Sequence, residues 1–407
     1  MNNRVYYSLI KEYPKAVITS QVVEYLQVLQ DNGIKFNMIF FIRLGPYITG
    51  FKDLKFHKKE IEKKINGHVS IYPIGKSYGS FSKFIGTCIL SLKLLKEKKK
   101  KKIILHTRGA FVAEIAITLR RIYKNIGIVY DIRGDSLAEY IYHAKKQNVS
   151  EKKIEKITRI DKKMQSKLVS GANQIFCVSN VLKERVVEKY HAEKDKINVI
   201  PCLADNKKFY FDQKIRERIR DSLSIENKYV FVYSGGMGYW HYTDKVFEIM
   251  RVLMNIWDNF YFVILTGQTE EAKKYANENL PNGSYYIKKA TREEVPNYLM
   301  AADMGILLRE NHPLNEVAAP TKFAEYVMTG LSIMISESIG DYSNFVERHN
   351  LGFVVTNKNS RKEYINKLSA FLSDTSKLSR EEISKLGYKN FAKINYSNKL
   401  NTIYKEL

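Results

Sequence analysis

The segment Ala319-Pro320-Thr321-Lys322-Phe323-Ala324-Glu325-Tyr326, followed by Gly330, carries the most legible chemistry in the chain. Pro320 suits the first position of a helix, because its missing N–H would be unpaired there and its fixed φ is already helical. The N–H groups of Thr321, Lys322 and Phe323 are then expected to face an anion, with the helix dipole in the same sense. Lys322 and Glu325 stand at i and i+3 and so share one helical face. A cation beside a phosphate and a carboxylate that accepts two vicinal hydroxyl protons would hold the diphosphate and ribose of a nucleotide. An ordinary amphipathic helix with an exposed ion pair is the plainer alternative.

Further polar groups follow apolar runs. His106 and Arg108 end one such run, Asp131 and Arg133 end the next, and Glu139 comes shortly after. A lone His at a strand end is often a satisfied half-buried residue, and Asp131, Arg133 and Glu139 could form an ion-pair network within one domain. The loop Gly235-Gly236-Met237-Gly238-Tyr239-Trp240 can offer backbone N–H groups to an anion. It contains no Arg; the nearest Lys is Lys245, and Arg309 and Lys322 are the pair available to meet phosphate charge.

These residues must be placed by a folded frame, and the composition supplies one. The 407 residues are 44% apolar and 12% aromatic, with Gly and Pro at only 21 and 8, which excludes a disordered or low-complexity chain and predicts two or three domains. Cys88, Cys177 and Cys202 are odd in number and far apart, so they fit neither a disulfide framework nor zinc-ligand spacing, and a reducing compartment is expected. The first thirty residues resemble neither a secretory signal nor a transit peptide. The longest apolar stretches fall short of the roughly 18 residues of a membrane span.

Short β-branched and aromatic runs alternate with helical periods throughout, the pattern of α/β layers on parallel sheets. Strands are expected over 4–10, 35–42, 69–73, 103–106, 128–132, 174–178 and 197–201, then over 229–233, 261–265, 304–308, 333–336 and 353–355. The expected organisation is a first Rossmann-like domain over 1–203, a second over 204–380, and helices over 381–407 that cross back to the first. Two doubly wound domains facing across a cleft would bind ligands at the carboxyl ends of their strands.

Charge is unevenly distributed. Residues 1–200 hold 39 Lys and Arg against 18 Asp and Glu, a net of +21 out of the chain's +24, while residues 201–407 hold 28 against 25. A basic half implies an acidic partner such as nucleic acid, anionic lipid or a phosphorylated substrate. Phe81, Phe84, Ile85, Cys88, Leu92 and Leu95 repeat at helical spacing before the lysines 98–102. That segment is either a core-facing helix with a solvated basic end or one that lies on an anionic membrane, each nearby Lys contributing about 1 kcal/mol.

Taken in order, these motifs resemble glycosyltransferase family 4, retaining enzymes of the GT-B fold that act in bacterial polysaccharide assembly. The resemblance runs through His106-Thr107-Arg108-Gly109, Tyr130-Asp131-Ile132-Arg133-Gly134 with Glu139, Cys177-Val178-Ser179, Val199-Ile200-Pro201, Tyr233-Ser234-Gly235-Gly236-Met237-Gly238, and Pro320 to Gly330 followed by Ile339-Gly340-Asp341. It implies His106, Arg108 and Arg133 as catalytic residues. Gly235, Gly236, Gly238, Lys245, Arg309, Glu316, Thr321, Lys322 and Glu325 would bind the donor, and Gln21, Asp131 and Glu139 would lie on the acceptor side. Two departures are plain: Val317 stands where the family's first Glu falls, with Glu316 beside it, and the first-loop Arg is missing.

The implied activity moves a hexose-type sugar from a nucleoside-diphosphate sugar to a polyprenyl-linked glycan, with retention and without a metal or other cofactor. Capsule, O-antigen or a related surface polysaccharide would be the product, made by a peripheral protein on the anionic cytoplasmic face of the membrane, with no nucleic-acid partner. Two alternatives use the same features: a GT-B sugar-nucleotide epimerase or phosphorylase, and a nucleic-acid-binding α/β protein built on the basic half.

Overall fold

The computed structural model describes residues 4–95, 102–238, 241–356 and 360–407. The lysines 98–101 of the polybasic run, and Tyr239 and Trp240 of the glycine-rich loop, lie outside the described residues. By internal contacts the chain forms two units, Met1–Pro201 with Tyr396–Leu407, and Cys202–Asn395.

The first unit is built on β1 (Arg4–Ile10), β2 (Phe36–Arg43), β3 (Val69–Ile74), β4 (Lys102–Arg108), β5 (Ile126–Ile132), β6 (Gln174–Cys177) and β7 (Ile197–Val199). All pairings are parallel and the order is β3-β2-β1-β4-β5-β6-β7. Helices cover such sheets on both faces, which is why strands such as β5 are apolar and buried at nearly every position. Connections run outward in both directions from β1 and β4, so a crevice opens beyond their carboxyl ends. The register sets Ile10, Arg108 and Asp131 in one row at that edge.

The second unit contains β8 (Tyr229–Ser234), β9 (Phe260–Leu265), β10 (Tyr285–Lys288), β11 (Met304–Leu307), β12 (Ser332–Ser336) and β13 (Gly352–Val355), ordered β10-β9-β8-β11-β12-β13 and all parallel. Its switch point lies between β8 and β11. β10 is absent from the sequence expectation. It is an edge strand with every residue only half-buried, so it lacks the apolar run that marks the inner strands.

Two expectations need correction. The helix Arg380–Phe391 does not cross back: it packs on the helix Thr321–Met328, where a Cβ on Gly387 would strike the Met328 backbone at 2.7 Å, and Phe391 meets Phe323 edge-on. Only Tyr396–Leu407, within the last helix, belongs with the first unit, and the division after the first unit's strands falls at Pro201 rather than 203. Of the two readings of the helix Ser80–Leu94, the core-facing one does not hold: Phe81, Phe84 and Leu92 are 71%, 66% and 68% exposed, while Ser82, Gly86, Leu90 and Leu94 are buried. Small residues let this helix approach its neighbour, since a Cβ on Gly86 would meet Ile115 at 2.6 Å, and the larger side chains are thereby turned outward.

No helix among the described residues is long and apolar enough to cross a membrane.

Candidate functional site

In the second unit, polar groups gather beyond the carboxyl ends of β8 and β11. The helix Thr321–Met328 buries Phe323, Ala324, Val327 and Met328, and Phe323 stacks on Tyr342 at 4.0 Å between ring centroids. That face fixes the helix and leaves Thr321, Lys322 and Glu325 half-buried on the other. Tyr326 reaches across the sheet to accept the Ser234 N–H at 2.9 Å, passing over Gly305, where a Cβ would lie 2.4 Å from the ring. The end of β8 and this helix are thus tied together.

Pro320 is the residue before the helix, with ψ at 130°, rather than its first helical residue, and its carbonyl accepts the Phe323 N–H at 3.1 Å. The expectation of three N–H groups facing an anion is therefore corrected for Phe323. The loop is also less open than expected: the Gly235 N–H donates to the Leu265 carbonyl at 2.8 Å. Gln268 braces the loop from the side, accepting the Met237 N–H at 2.7 Å and donating to the Met237 carbonyl at 3.2 Å. Gly235 has φ of +141°, and a Cβ there would fall 2.0 Å from the Lys322 Nζ. Only glycine leaves room for that amine.

Lys322 lies with its Nζ over the Tyr233 ring at 4.8 Å, a cation–π arrangement. Burial, then Arg309, push its ammonium down to about 7 against the pull of Glu325. Burial also lowers Arg309. His241, which the sequence reading passed over, is drawn to about 3 by burial, Lys322 and Arg309, so it is neutral at physiological pH. Arg309, Lys322 and His241 therefore form one electrostatic group in which Glu325 is the carboxylate acting on Lys322. Such a group favours an incoming anion.

Lys245 belongs to different surroundings: its amine donates to Glu248 at 3.0 Å and lies over the Tyr364 ring at 5.0 Å. Glu316 ends the short helix Pro313–Glu316 half-buried, and Val317 beside it is fully buried in the core. A glutamate at 317 would bring an unmatched charge into an apolar interior.

The first unit assembles a second group. His106 on β4 is 7% exposed, with Nδ1 at 2.7 Å from the Tyr404 hydroxyl and Nε2 at 3.4 Å from Asp131. Tyr404 comes from the last helix and also contacts the Tyr25 hydroxyl at 3.1 Å. Both ring nitrogens of His106 are thus engaged inside the unit. Arg108 donates to Glu12 at 3.1 Å and to Gln21 at 2.6 Å. Gln21 sits in a π-helical turn, Thr19–Val23, a distortion common at functional sites and without a clear sequence signature. Burial would raise the Asp131 carboxyl, but Arg133, His106 and Arg108 outweigh it and hold Asp131 at about 2.

Arg108, Arg133 and Glu139 line a cavity of about 240 Å³ at the carboxyl ends of β1, β4 and β5. The structure therefore brings together the sequence-derived residues in two separate sets, Arg309, Thr321, Lys322 and Glu325 in one unit and Gln21, His106, Arg108, Asp131 and Arg133 in the other. Among the described residues, no group of three or more His, Cys, Asp or Glu is placed to hold a metal ion.

A search among curated proteins found no match. The crystal structure of Anabaena HepE with UDP and glucose resembles the chain at a TM-score of 0.67 and 13% identity, covering 99% of this chain and 100% of that one. A glycosyltransferase from Rickettsia africae gives 0.70 and 17%, covering 99% and 98%. The lipopolysaccharide outer core galactosyltransferase WaaB gives 0.64 and 13%, covering 99% and 100%. These likenesses, with two parallel Rossmann-like sheets, establish the GT-B fold. Residues 215–390, which contain the whole Arg309–Lys322–Glu325 group, match the family model described as glycosyl transferases group 1, and match and fold together support a glycosyltransferase.

Proposed function

We propose that this chain is a retaining glycosyltransferase that moves a hexose-type sugar from a nucleoside-diphosphate sugar to a polyprenyl-linked glycan. The observation that carries the donor half is the electropositive group of Arg309 and Lys322 at the β8–β11 switch point, with Glu325 on the same helical face as Lys322. Arg309 and Lys322 would clamp the diphosphate, His241 would contribute a neutral imidazole, and Glu325 would take the ribose hydroxyls. HepE, in the same fold, has been crystallised with UDP and with UDP-glucose, which supports this class of donor.

In the proposed reaction the bond from the sugar's anomeric carbon to the diphosphate breaks. A bond to the acceptor hydroxyl forms on the same face, and the hydroxyl proton passes to the departing diphosphate. Negative charge grows on the leaving group, where preorganised cations lower the barrier. The protein then needs to orient the acceptor rather than supply the paired carboxylates of a glycosidase. The first unit, with Gln21, Arg108, Arg133 and Glu139, would be the acceptor side.

The outward stripe of Phe81, Phe84 and Leu92, in the half that carries +21, supports peripheral docking on an anionic membrane, where a lipid-linked acceptor resides. An epimerase, phosphorylase or nucleic-acid-binding protein has no use for that stripe. A surface-polysaccharide product, such as capsule or O-antigen, follows from the same reading.

Melting of the full-length protein with UDP, GDP, CMP and dTDP tests the donor. A nucleotide at a hundred times its Kd stabilises by about 2.7 kcal/mol, and Glu325→Ala should abolish that shift while leaving the free protein's melting intact. If none of the four shifts the wild type, the donor assignment fails.

A further inference from the structure

We infer that the first unit enters an anionic bilayer by the carboxyl edge of its sheet, through the segment 44–56, and so docks with its acceptor side toward the lipid. The docking surface stands on its own geometry; that it serves a lipid-linked acceptor rests on the function proposed above. β2 ends at Arg43, the helix Leu44–Thr49 starts at once, and the helix Phe51–Lys64 follows after Gly50. The first of these helices has Thr49 and the Tyr47 hydroxyl as its only polar side-chain groups, yet it buries no residue. In the second, Leu54 and Ile61 face the core. Phe56, two residues beyond Leu54, is on the opposite side. Ile48, Phe51 and Phe56 are each more than half exposed.

This segment meets the outward stripe of the helix Ser80–Leu94. The Leu44 N–H donates to the Gly75 carbonyl at 3.4 Å, and a Cβ on Gly75 would stand 3.3 Å from a ring carbon of Phe81, so Leu44 and Phe81 flank the same glycine. Phe84 lies one turn further on the same helical face. That helix connects the end of β3 to the start of β4, so it begins at the carboxyl edge of the sheet, and Leu92 lies toward the amino edge. The crevice beyond β1 and β4 opens along the same carboxyl edge.

Charge and shape identify the occupant. Every acid of the helix Phe51–Lys64 is engaged: Asp53 faces His57 at 3.4 Å, Glu60 meets Lys63 at 2.7 Å, and Glu62 accepts the Val69 N–H at 3.1 Å with Lys58 at 3.9 Å. Lys52, Lys55, Lys59 and Lys76 remain exposed, and none of them pairs with a carboxylate among the described residues. Lys55 stands four residues after Phe51, and Lys52 and Lys59 stand four before and three after Phe56, so each aromatic tip shares its helical face with ammonium groups. Apolar tips that project singly among free cations suit the boundary between acyl chains and anionic headgroups, a fluid partner that needs no matching groove. Nucleic acid would take the lysines and leave the tips in water.

The test floats full-length protein with vesicles of phosphatidylcholine, alone or mixed with phosphatidylglycerol. The wild type should float with the anionic vesicles at low salt. Ile48→Ser combined with Phe51→Ser should weaken that binding by about tenfold or more at unchanged melting, since both side chains are mostly in water in the free protein. Lys52→Gln combined with Lys55→Gln should weaken it about tenfold through lost charge, and serves if the first pair fails to fold. Orientation is read by quenching with brominated phosphatidylglycerol: Ile48→Trp should be quenched strongly and Leu92→Trp much less, each against the wild type's own two tryptophans. The inference is overturned if the wild type does not float, floats equally with phosphatidylcholine alone, or is matched by both pairs of substitutions. Quenching of Leu92→Trp without Ile48→Trp would overturn it in favour of docking by the flank stripe. Dimers that never float and that Ile48→Ser with Phe51→Ser dissolves would overturn it in favour of a second copy. Vesicle binding that persists while no nucleotide shifts melting would instead sink the donor assignment and leave this surface standing.

Discussion

Within one sheet, the amino end and the carboxyl end treat buried cations in opposite ways. At the amino end, Asp303 precedes β11 and accepts from the Val230 N–H at 2.7 Å, while Arg216, Arg220 and Arg380 close on it at 2.5, 3.3 and 3.6 Å. Arg216 also donates to the carbonyls of Met300, Ala301 and Ala302, which end the helix Val295–Ala301, and Arg380 donates to those of Met300, Ala302 and Thr329. Burial, Arg216 and Arg220 lower Arg380 to about 9 against Asp303, which still leaves it charged at neutral pH. At the carboxyl end, Lys322 is pushed down to about 7, at the edge of losing its proton. The first set of charges is bound into the fold and serves shape. The second sets buried cations beside one another, an arrangement that an incoming anion would relieve.

The contrast can be broken by substitution. Asp303→Asn leaves three arginines around a neutral side chain and should lower unfolding free energy by about 3–5 kcal/mol, the usual loss when one partner of a buried ion pair is removed. Urea denaturation measures it, and a loss under 1 kcal/mol would show that the carbonyls alone hold the cluster.

Lys322→Ala should do the reverse. The free protein should melt no lower than wild type, because an unfavourably placed charge is gone. Nucleoside-diphosphate affinity should fall about a hundredfold, equivalent to about 2.7 kcal/mol. Destabilisation with unchanged affinity would make Lys322 a structural residue like Arg220.

The pH dependence sharpens the same point. Lys322 is lowered from 10.5 to about 7 in the fold, so the unfolded chain binds more protons between those values, and the free protein's stability should rise with pH across that window. A bound diphosphate restores the ammonium. Binding at pH 8 should therefore take up close to one proton, and at pH 5.5 Lys322 should contribute none. Calorimetry in buffers of different ionisation heat reads this directly, and equal uptake by Lys322→Ala would assign the proton to another group.

The smallest effect belongs to the first unit. Tyr404→Phe removes the 2.7 Å contact to the His106 Nδ1 and should cost about 1 kcal/mol of stability. Loss of turnover far beyond that cost would mean that His106 acts on substrate rather than holding the sheet edge.

Much of this was legible without coordinates. Residue periodicity sufficed for twelve of the thirteen strands, because inner parallel strands are buried on both faces and must be apolar throughout. The pairing of Lys322 with Glu325 on one helical face follows from 3.6 residues per turn, and the position of Arg309 from its place just past β11. Three things were decided only by tertiary contact. His241 feels Lys322 and Arg309 across some seventy to eighty positions of sequence, a proximity that spacing along the chain does not encode. His106 is held by Tyr404, which lies 298 positions later and meets it only through the last helix. The stripe of Phe81, Phe84 and Leu92 has the period of a buried face, yet it points outward. Periodicity determines that a helix has two faces; which one is buried depends on how closely the neighbouring backbone can approach, and here the small residues Ser82 and Gly86 provide that approach.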